Sequence, residues 1–129
     1  MKPIKAKRLR AGNTLGLVAP SHTIHERMPF DIAIDTLQAM GVDPASITDV
    51  IITHMHYDHC GNHHLFGGAR FHLQDREIAY ATGRCMCFKP MREAYDEEDV
   101  VAMVRRVHRG KAVFHDGDEE IAPGLGVHR

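Results

Sequence analysis

The chain has 129 residues, of which 43% are hydrophobic and 26% are charged, a composition typical of one soluble globular domain. Its formal net charge of −1 indicates neither the basic surface of a nucleic-acid-binding protein nor an acidic tail. No apolar run approaches the roughly 20 residues of a membrane-spanning helix, and Gly12 and Gly16 interrupt any signal-peptide core after the basic N-terminus. We therefore expect a cytoplasmic protein with no nucleic-acid and no membrane partner.

The three cysteines do not predict a disulfide framework. An odd count without a secretion signal argues against one, for Cys60, Cys85 and Cys87 alike. Cys85 and Cys87 could contribute half of a metal site, but no second cysteine pair completes a tetrahedral one. We expect them to be small, partly buried side chains.

The first 22 residues differ in character from residues 23–129. Residues 15–21 are typical of a short apolar strand that ends in a Pro-Ser turn. Together with residues 7–14, they resemble the opening of the LD-carboxypeptidase family. That family's catalytic residues are absent from this stretch, so the resemblance implies no activity. We expect an N-terminal segment, 1–22, and a separate domain over 23–129.

The next elements alternate between helical and extended patterns. Apolar residues at helical spacing predict a helix over 31–40, and Gly41 suits its C-terminal end. Asp43 and then Pro44 have the form of an N-cap and a first helical position. The pattern then predicts, in order, a buried strand at 50–52, a helical turn at 63–66, a strand at 69–74 and a helix at 75–81 capped by Asp75.

The second half is dominated by one amphipathic helix. Residues 82–91 are typical of a loop, and a helix is predicted over 96–108, with acidic residues in its first turn and basic residues near its end. Its apolar stripe is Val100, Val104 and Val107. Residues 112–115 and 119–121 are predicted to pair as a hairpin around Asp116-Gly117, and a strand begins near 126–128.

Histidine is the unusual residue of this sequence. The chain has 11 histidines, and five of them fall within residues 54–64. Residues 54–59 read His-x-His-x-Asp-His directly after the predicted buried strand. In an extended segment His54 and His56 point the same way and can share one metal ion. After a turn of the chain, Asp58 and His59 can face a second ion.

These donors suit zinc, and iron, manganese or cobalt could also bind them. A single histidine in a loop would be interpreted as a solvent-exposed residue. Four candidate ligands within six residues favour metal binding instead. Two ions roughly 3.5–4 Å apart can hold a bridging hydroxide and polarise a carbonyl together.

The His-x-His-x-Asp-His motif, with residues 49–53 before it and 60–62 after it, resembles the metallo-β-lactamase superfamily from about residue 31 onward. Residues 74–77, 81–84 and 114–118 are most similar to its N-acyl homoserine lactonase group. The resemblance implies an α/β fold, the N-terminal half of a metallo-β-lactamase αββα sandwich.

The resemblance also implies a function for the motif. Two zinc ions would be bound, the first by His54 and His56 and the second by Asp58 and His59, with Asp58 as the candidate catalytic residue. A metal-bridged hydroxide would hydrolyse a small-molecule ester or lactone such as an N-acyl homoserine lactone. A thioester or β-lactam substrate stays open.

Part of the family pattern has no match. A later Gly-His-x-x-Gly histidine, a bridging aspartate and a final histidine are not found, so we expect the sequence to stop near the middle of the sandwich. The alternative function is a catalytically incomplete fragment or fusion product that binds metal weakly or serves as an interaction module. A homo-oligomer could cover the open core.

Several other residues are weaker candidates. Tyr57 could face the substrate. His72 is expected to be a surface or hydrogen-bonded strand residue. The remaining histidines near or after the motif are considered as ligands and interpreted mainly as structural residues: His63, His64, His115 and His128.

Overall fold

The computed structural model describes residues 35 and 37–128. The predicted N-terminal segment, with its resemblance to the LD-carboxypeptidase family, lies outside these residues. So do residues 31–34 and 36 of the predicted helix over 31–40. Residues 35 and 37–39 are helical. The helix ends as predicted at Gly41, whose φ is 72°. The N–H groups of Gly41 and Val42 donate to the carbonyls of Gln38 and Leu37 at 2.9 and 2.8 Å, which satisfies the last carbonyls of the helix.

Three parallel strands form the central sheet of the described residues. They are β1 (Asp49–Ile51), β2 (Arg70–Gln74) and β3 (Ala112–His115), in the order β1-β2-β3. Val50 is in register with Phe71, and Leu73 with Phe114. The carboxyl ends of parallel strands lie at the same edge of a sheet, so the segments that follow β1 and β2 meet there.

Helical segments connect the strands, as parallel pairing requires. The α-helices are α1 (Tyr57–Cys60), α2 (Asp75–Ala81), α3 (Lys89–Arg92) and α4 (Glu97–His108). Short 3₁₀ turns occupy Pro44–Ser46, His63–Phe66 and Arg84–Cys87. An antiparallel hairpin of β4 (Glu119–Ala122) and β5 (Leu125–Val127) follows β3.

The apolar core lies on one face of the sheet. Phe71 and Leu73 project from β2 and are 0% and 1% exposed. They pack in one cluster with the fully buried side chains of Met55, Cys60 and Met103. Because α1 and α4 contribute Cys60 and Met103, this core joins the histidine-rich segment to the long helix.

Most predicted elements are confirmed within one or two residues, including α2, α4 and the turn at Pro44. Asp43 accepts the backbone N–H of Ala45 at 2.9 Å, as an N-cap should. Asp96 caps α4 by accepting from the N–H groups of Glu98 and Asp99 at 2.8 and 3.3 Å. These ends follow local rules that sequence alone can state.

Three predictions about secondary structure were wrong. Residues 82–91 are not a loop, because they contain the Arg84–Cys87 turn and most of α3. Asp75 does not cap α2, since Gln74 occupies the N-cap position without a side-chain hydrogen bond. Residues 112–115 do not form a hairpin with 119–121: β3 pairs in parallel with β2, and β4 pairs with β5.

In the part of the chain that the structure describes, none of the helices has the length and apolar character needed to cross a membrane.

Candidate metal centre

The His-x-His-x-Asp-His motif begins where β1 ends. The N–H of Ile52 still donates to the carbonyl of His72 at 3.0 Å, after which the chain leaves the sheet. Met55 is 0% exposed and packs in the core. Side chains alternate along extended backbone, so burial of Met55 turns His54 and His56 together away from the core. Both are half-buried.

The structure brings the four predicted ligands together. The ring centroid of His54 lies 4.6 Å from that of His56 and 3.9 Å from that of His59. Asp58 Oδ2 lies 3.5 Å from His59 Nε2. Helix α1 produces this arrangement, because its first turn, closed by the His59 N–H on the His56 carbonyl at 2.9 Å, returns His59 toward His54.

The chemistry of this cluster fits a divalent metal ion. His59 Nδ1 is buried without a hydrogen-bond partner, an arrangement that is rare in folded proteins and that a bound ligand resolves. Burial, and after it the neighbouring His59 and His56, lower the pKa of His54, against the opposing charges of Glu77 and Asp58. A lowered pKa favours neutral imidazole, the form that ligates metals.

The cluster is nevertheless not a closed site. Among residues 37–128, no group of three or more His, Cys, Asp or Glu side chains is arranged so that it could hold one ion. The two pairs of the motif therefore offer a partial set of ligands, to which water or further donors would add.

Two residues outside the motif, which the sequence analysis did not select, contact its backbone and one of its histidines. Glu77, on α2, accepts the backbone N–H of Met55 through Oε1 at 2.6 Å. The same oxygen accepts the hydroxyl of Tyr95 at 3.2 Å. The ring of Tyr95 meets His56 edge-on, with centroids 4.8 Å apart. The available signal was topological: α2 begins where β2 ends, at the sheet edge where the motif follows β1.

His63 belongs to a structural network rather than to the cluster. Its Nε2 lies 3.5 Å from Asp99 Oδ1, and Arg106 Nη2 reaches both its Nδ1 and its carbonyl oxygen at 3.1 and 3.0 Å. The Arg106 guanidinium also stacks over the Phe71 ring, 4.0 Å from its centroid. Burial lowers the pKa of Arg106, and the like charge of Arg109 lowers this pKa further.

Cys60 is buried directly beneath the motif. Its thiol lies 3.5 Å from the Met55 carbonyl and 3.8 Å from Asp99 Oδ2. Burial, followed by the Asp99 carboxylate, raises the pKa of this thiol well above its usual range. Cys60 is therefore a neutral packing residue. Cys85 and Cys87 are free and exposed, which corrects their predicted partial burial.

His72 and His115 are structural too. They are 6% and 3% exposed, so the expectation of a surface position for His72 was wrong, whereas that of a hydrogen-bonded residue is confirmed. His72 Nδ1 lies 2.9 Å from His115 Nε2. His128 is exposed and lies 3.6 Å from Asp118. Tyr57 is half-buried at the start of α1, and its contact with a substrate stays a prediction.

The comparison with protein families decides the assignment. The model of the metallo-beta-lactamase superfamily matches residues 18–128. The chain belongs to this superfamily. This confirms the family resemblance and the mixed α/β fold of a partial metallo-β-lactamase domain. The search of curated proteins found no match.

Solved structures of this superfamily share the fold. An N-acyl homoserine lactone hydrolase with N-hexanoyl-L-homoserine bound at its catalytic metal centre superposes with a TM-score of 0.53 at 24% identity, over 72% of this chain and 32% of that chain. A mutant of B. thuringiensis AiiA with N-decanoyl-L-homoserine bound superposes with a TM-score of 0.54 at 24% identity, over 72% of this chain and 32% of that chain. A Thermotoga maritima protein assigned to the metallo-β-lactamases superposes with a TM-score of 0.50 at 26% identity, over 74% of this chain and 42% of that chain. The chain thus spans about one third of the length of the first two proteins.

Proposed function

We propose that this chain carries the metal-binding motif of a metal-dependent hydrolase whose substrate is a small-molecule ester or lactone. The observation that carries this proposal is the gathering of His54, His56, Asp58 and His59 at the end of β1. In this assignment His54 and His56 bind one zinc ion, and Asp58 and His59 bind a second. Iron, manganese and cobalt suit the same donors.

Such ions, when bound, lower the pKa of water and polarise an ester carbonyl. The chain's own residues fix the relative positions of the four candidate ligands. The buried Met55 keeps His54 and His56 on one side of the extended segment, and α1 places Asp58 and His59 beside them. An ionised Asp58 only accepts hydrogen bonds, so it can bind an ion or take up a proton. No other nucleophile is needed.

The substrate class rests on similarity. The solved structures that share the fold include an N-acyl homoserine lactone hydrolase with its product N-hexanoyl-L-homoserine bound, and B. thuringiensis AiiA with N-decanoyl-L-homoserine bound at the active site. We therefore infer that an N-acyl homoserine lactone is the first substrate to test, and quorum quenching the corresponding role. Cytoplasmic location and a homo-oligomer that covers the open core remain predictions as well.

The decisive experiment is zinc binding. We predict that the wild-type chain binds zinc and that the double variant His54→Ala, His56→Ala loses most of this binding, because both donors to one ion are removed. Equilibrium dialysis with metal analysis gives the stoichiometry, and a chromophoric competitor gives the affinity. The variant His128→Ala is the matched control, since it removes an exposed imidazole outside the cluster. Equal zinc binding by the wild type and the double variant would contradict the assignment.

One observation favours a second candidate function. Among the described residues, no three His, Cys, Asp or Glu side chains are arranged so that they could hold one ion. This favours the alternative of a catalytically incomplete chain that binds metal weakly or serves as an interaction module. In that case zinc would bind with low affinity and no lactone would be hydrolysed.

A further inference from the structure

We propose that Glu77 and Tyr95 are positioning residues for the metal ligands: together they hold His54 and His56 in the orientation needed to bind an ion. The inference rests on the proposed metal-dependent function. It concerns residues of α2 and of the segment before α4, outside the His-x-His-x-Asp-His motif itself.

Glu77 acts on the backbone between the two ligands. Met55 separates His54 from His56, and its N–H donates to Glu77 Oε1 at 2.6 Å. A hydrogen bond to an ionised carboxylate is shorter and about twice as strong as one between neutral groups. Because the Met55 side chain is fully buried, backbone and side chain are both held in place. The orientation of the two flanking histidines follows from these anchors.

Tyr95 completes the arrangement from the other side. Its hydroxyl donates to the same Glu77 oxygen at 3.2 Å, and its ring packs edge-on against His56 with centroids 4.8 Å apart. The adjacent Ala94 carbonyl accepts the N–H of Tyr57 at 3.0 Å, which attaches this segment to the start of α1. Burial and the Glu77 carboxylate raise the pKa of Tyr95, so the phenol keeps the proton that it donates.

This geometry matters because ligand orientation contributes to metal affinity. Groups that hydrogen-bond or pack around first ligands fix their direction, and their removal commonly costs about 10–100-fold in affinity. Loss of the Glu77 acceptor would also leave the Met55 N–H unpaired, and the loop that carries both histidines would adopt other conformations. The metal-free chain would then have to order this loop on binding.

Four variants separate positioning from general stability. Glu77→Leu removes the acceptor, whereas Glu77→Gln keeps an amide oxygen for the Met55 N–H. Tyr95→Phe keeps the ring on His56 but removes the hydroxyl. Ile78→Ala is the matched control, because the apolar Ile78 side chain packs against the core from the same helix and cannot accept the Met55 N–H. Thermal unfolding of each variant measures its loss of stability.

The first readout is metal binding by the full chain. We expect Glu77→Leu to lower zinc affinity about 10–100-fold, Glu77→Gln to stay within a few-fold of the wild type, and Tyr95→Phe to fall between them. The visible spectrum of the cobalt-substituted protein should change in Glu77→Leu and remain wild-type in Ile78→Ala. If Ile78→Ala weakens zinc as much as Glu77→Leu does, positioning by Glu77 is wrong.

The second readout uses the metal-free chain, so that it does not depend on the proposed function. The Met55 amide proton should resonate far downfield in the wild type and Glu77→Gln, and move upfield in Glu77→Leu, with accompanying shifts of the His54 and His56 ring protons. Unchanged histidine ring shifts in Glu77→Leu and Tyr95→Phe would overturn the positioning role. Absence of zinc binding by the wild type, with these shifts present, would instead overturn only the proposed function.

Discussion

Single residues at the sheet show how buried polar groups are satisfied in this fold. His72 and His115 lie on neighbouring strands, 2.9 Å apart through Nδ1 and Nε2. The outer nitrogens reach Asp49 Oδ1 at 3.1 Å and Glu119 Oε2 at 2.6 Å. The four side chains therefore connect β1 to β4 in one chain of hydrogen bonds. Arg70 adds its own contact to Asp49 Oδ1 at 2.7 Å.

Because of Asp49, part of the free energy of unfolding depends on pH. Burial alone would raise its pKa, but hydrogen bonds from Thr48 and His72, together with Arg70, outweigh burial and lower the pKa below 3.8. A carboxyl with a lowered pKa in the folded state stabilises the fold above its unfolded pKa, and this contribution is lost as pH falls through the folded pKa.

We therefore predict that Asp49→Asn is less stable than the wild type at pH 6. The difference in the free energy of unfolding should narrow as the pH falls from about 4, the usual pKa of an aspartate, through the lower pKa of folded Asp49. Urea unfolding at several pH values between 3 and 6 measures both free energies of unfolding. A difference that stays constant over this range would mean that Asp49 does not titrate as proposed.

At the same scale, the proximity of the four candidate ligands could be predicted from sequence, whereas the contacts that Glu77 and Tyr95 make with the motif could not. His54, His56, Asp58 and His59 are close in sequence, so alternation and one helical turn suffice to bring them together. Glu77 and Tyr95 lie 22 and 40 positions after Met55 in the sequence. Their contacts with the motif form only because β1 and β2 end at the same edge of the sheet. Local patterns carry no information about such contacts.

Secondary-structure elements were predictable in type and less so in their partners. Residues 112–115 have the pattern of a strand, and they are one. Their pairing partner, β2, lies some 40 residues upstream, and no local turn specifies it. The Asp116-Gly117 pair instead begins the connection to β4. The helix α3 escaped prediction because four residues are too few for a periodic pattern.

The long helix α4 illustrates a related limit. The sequence indicates an apolar stripe of Val100, Val104 and Val107, but all three are only half-buried. Met103, on the same helix, is 0% exposed and belongs to the core with Phe71. Periodicity finds the apolar side of a helix, whereas the depth of each residue depends on the sheet beneath it.

We predict that Met103→Ala destabilises the chain by about 2–5 kcal/mol, because it opens a cavity in a fully buried cluster. Val104→Ala should cost only about 1 kcal/mol, since its side chain is partly solvated already. Chemical denaturation of both variants against the wild type measures these losses. Equal destabilisation by the two substitutions would contradict the larger contribution of Met103 to the packing of α4.

At the scale of the molecule, the described residues include the motif and the sheet edge that carries it, with a partial set of candidate ligands. Catalytic zinc commonly has three protein ligands. The motif supplies two donors for each proposed ion, and within residues 37–128 no group of three is arranged so that it could hold one ion. Ions held in this way would have several positions filled by water, and their separation would not be set.

We therefore predict that the zinc-loaded chain hydrolyses an N-acyl homoserine lactone slowly, with a kcat well below the roughly 1–10³ s⁻¹ of typical enzymes. The reaction should depend on zinc and be lost in His56→Ala, while His128→Ala retains it. A pH-stat assay at several protein concentrations measures the rate. A kcat in the typical range, abolished in His56→Ala, would show that complete coordination is reached within this chain. If kcat rises to that range only with protein concentration, a second copy supplies the remaining ligands, which would support the predicted homo-oligomer.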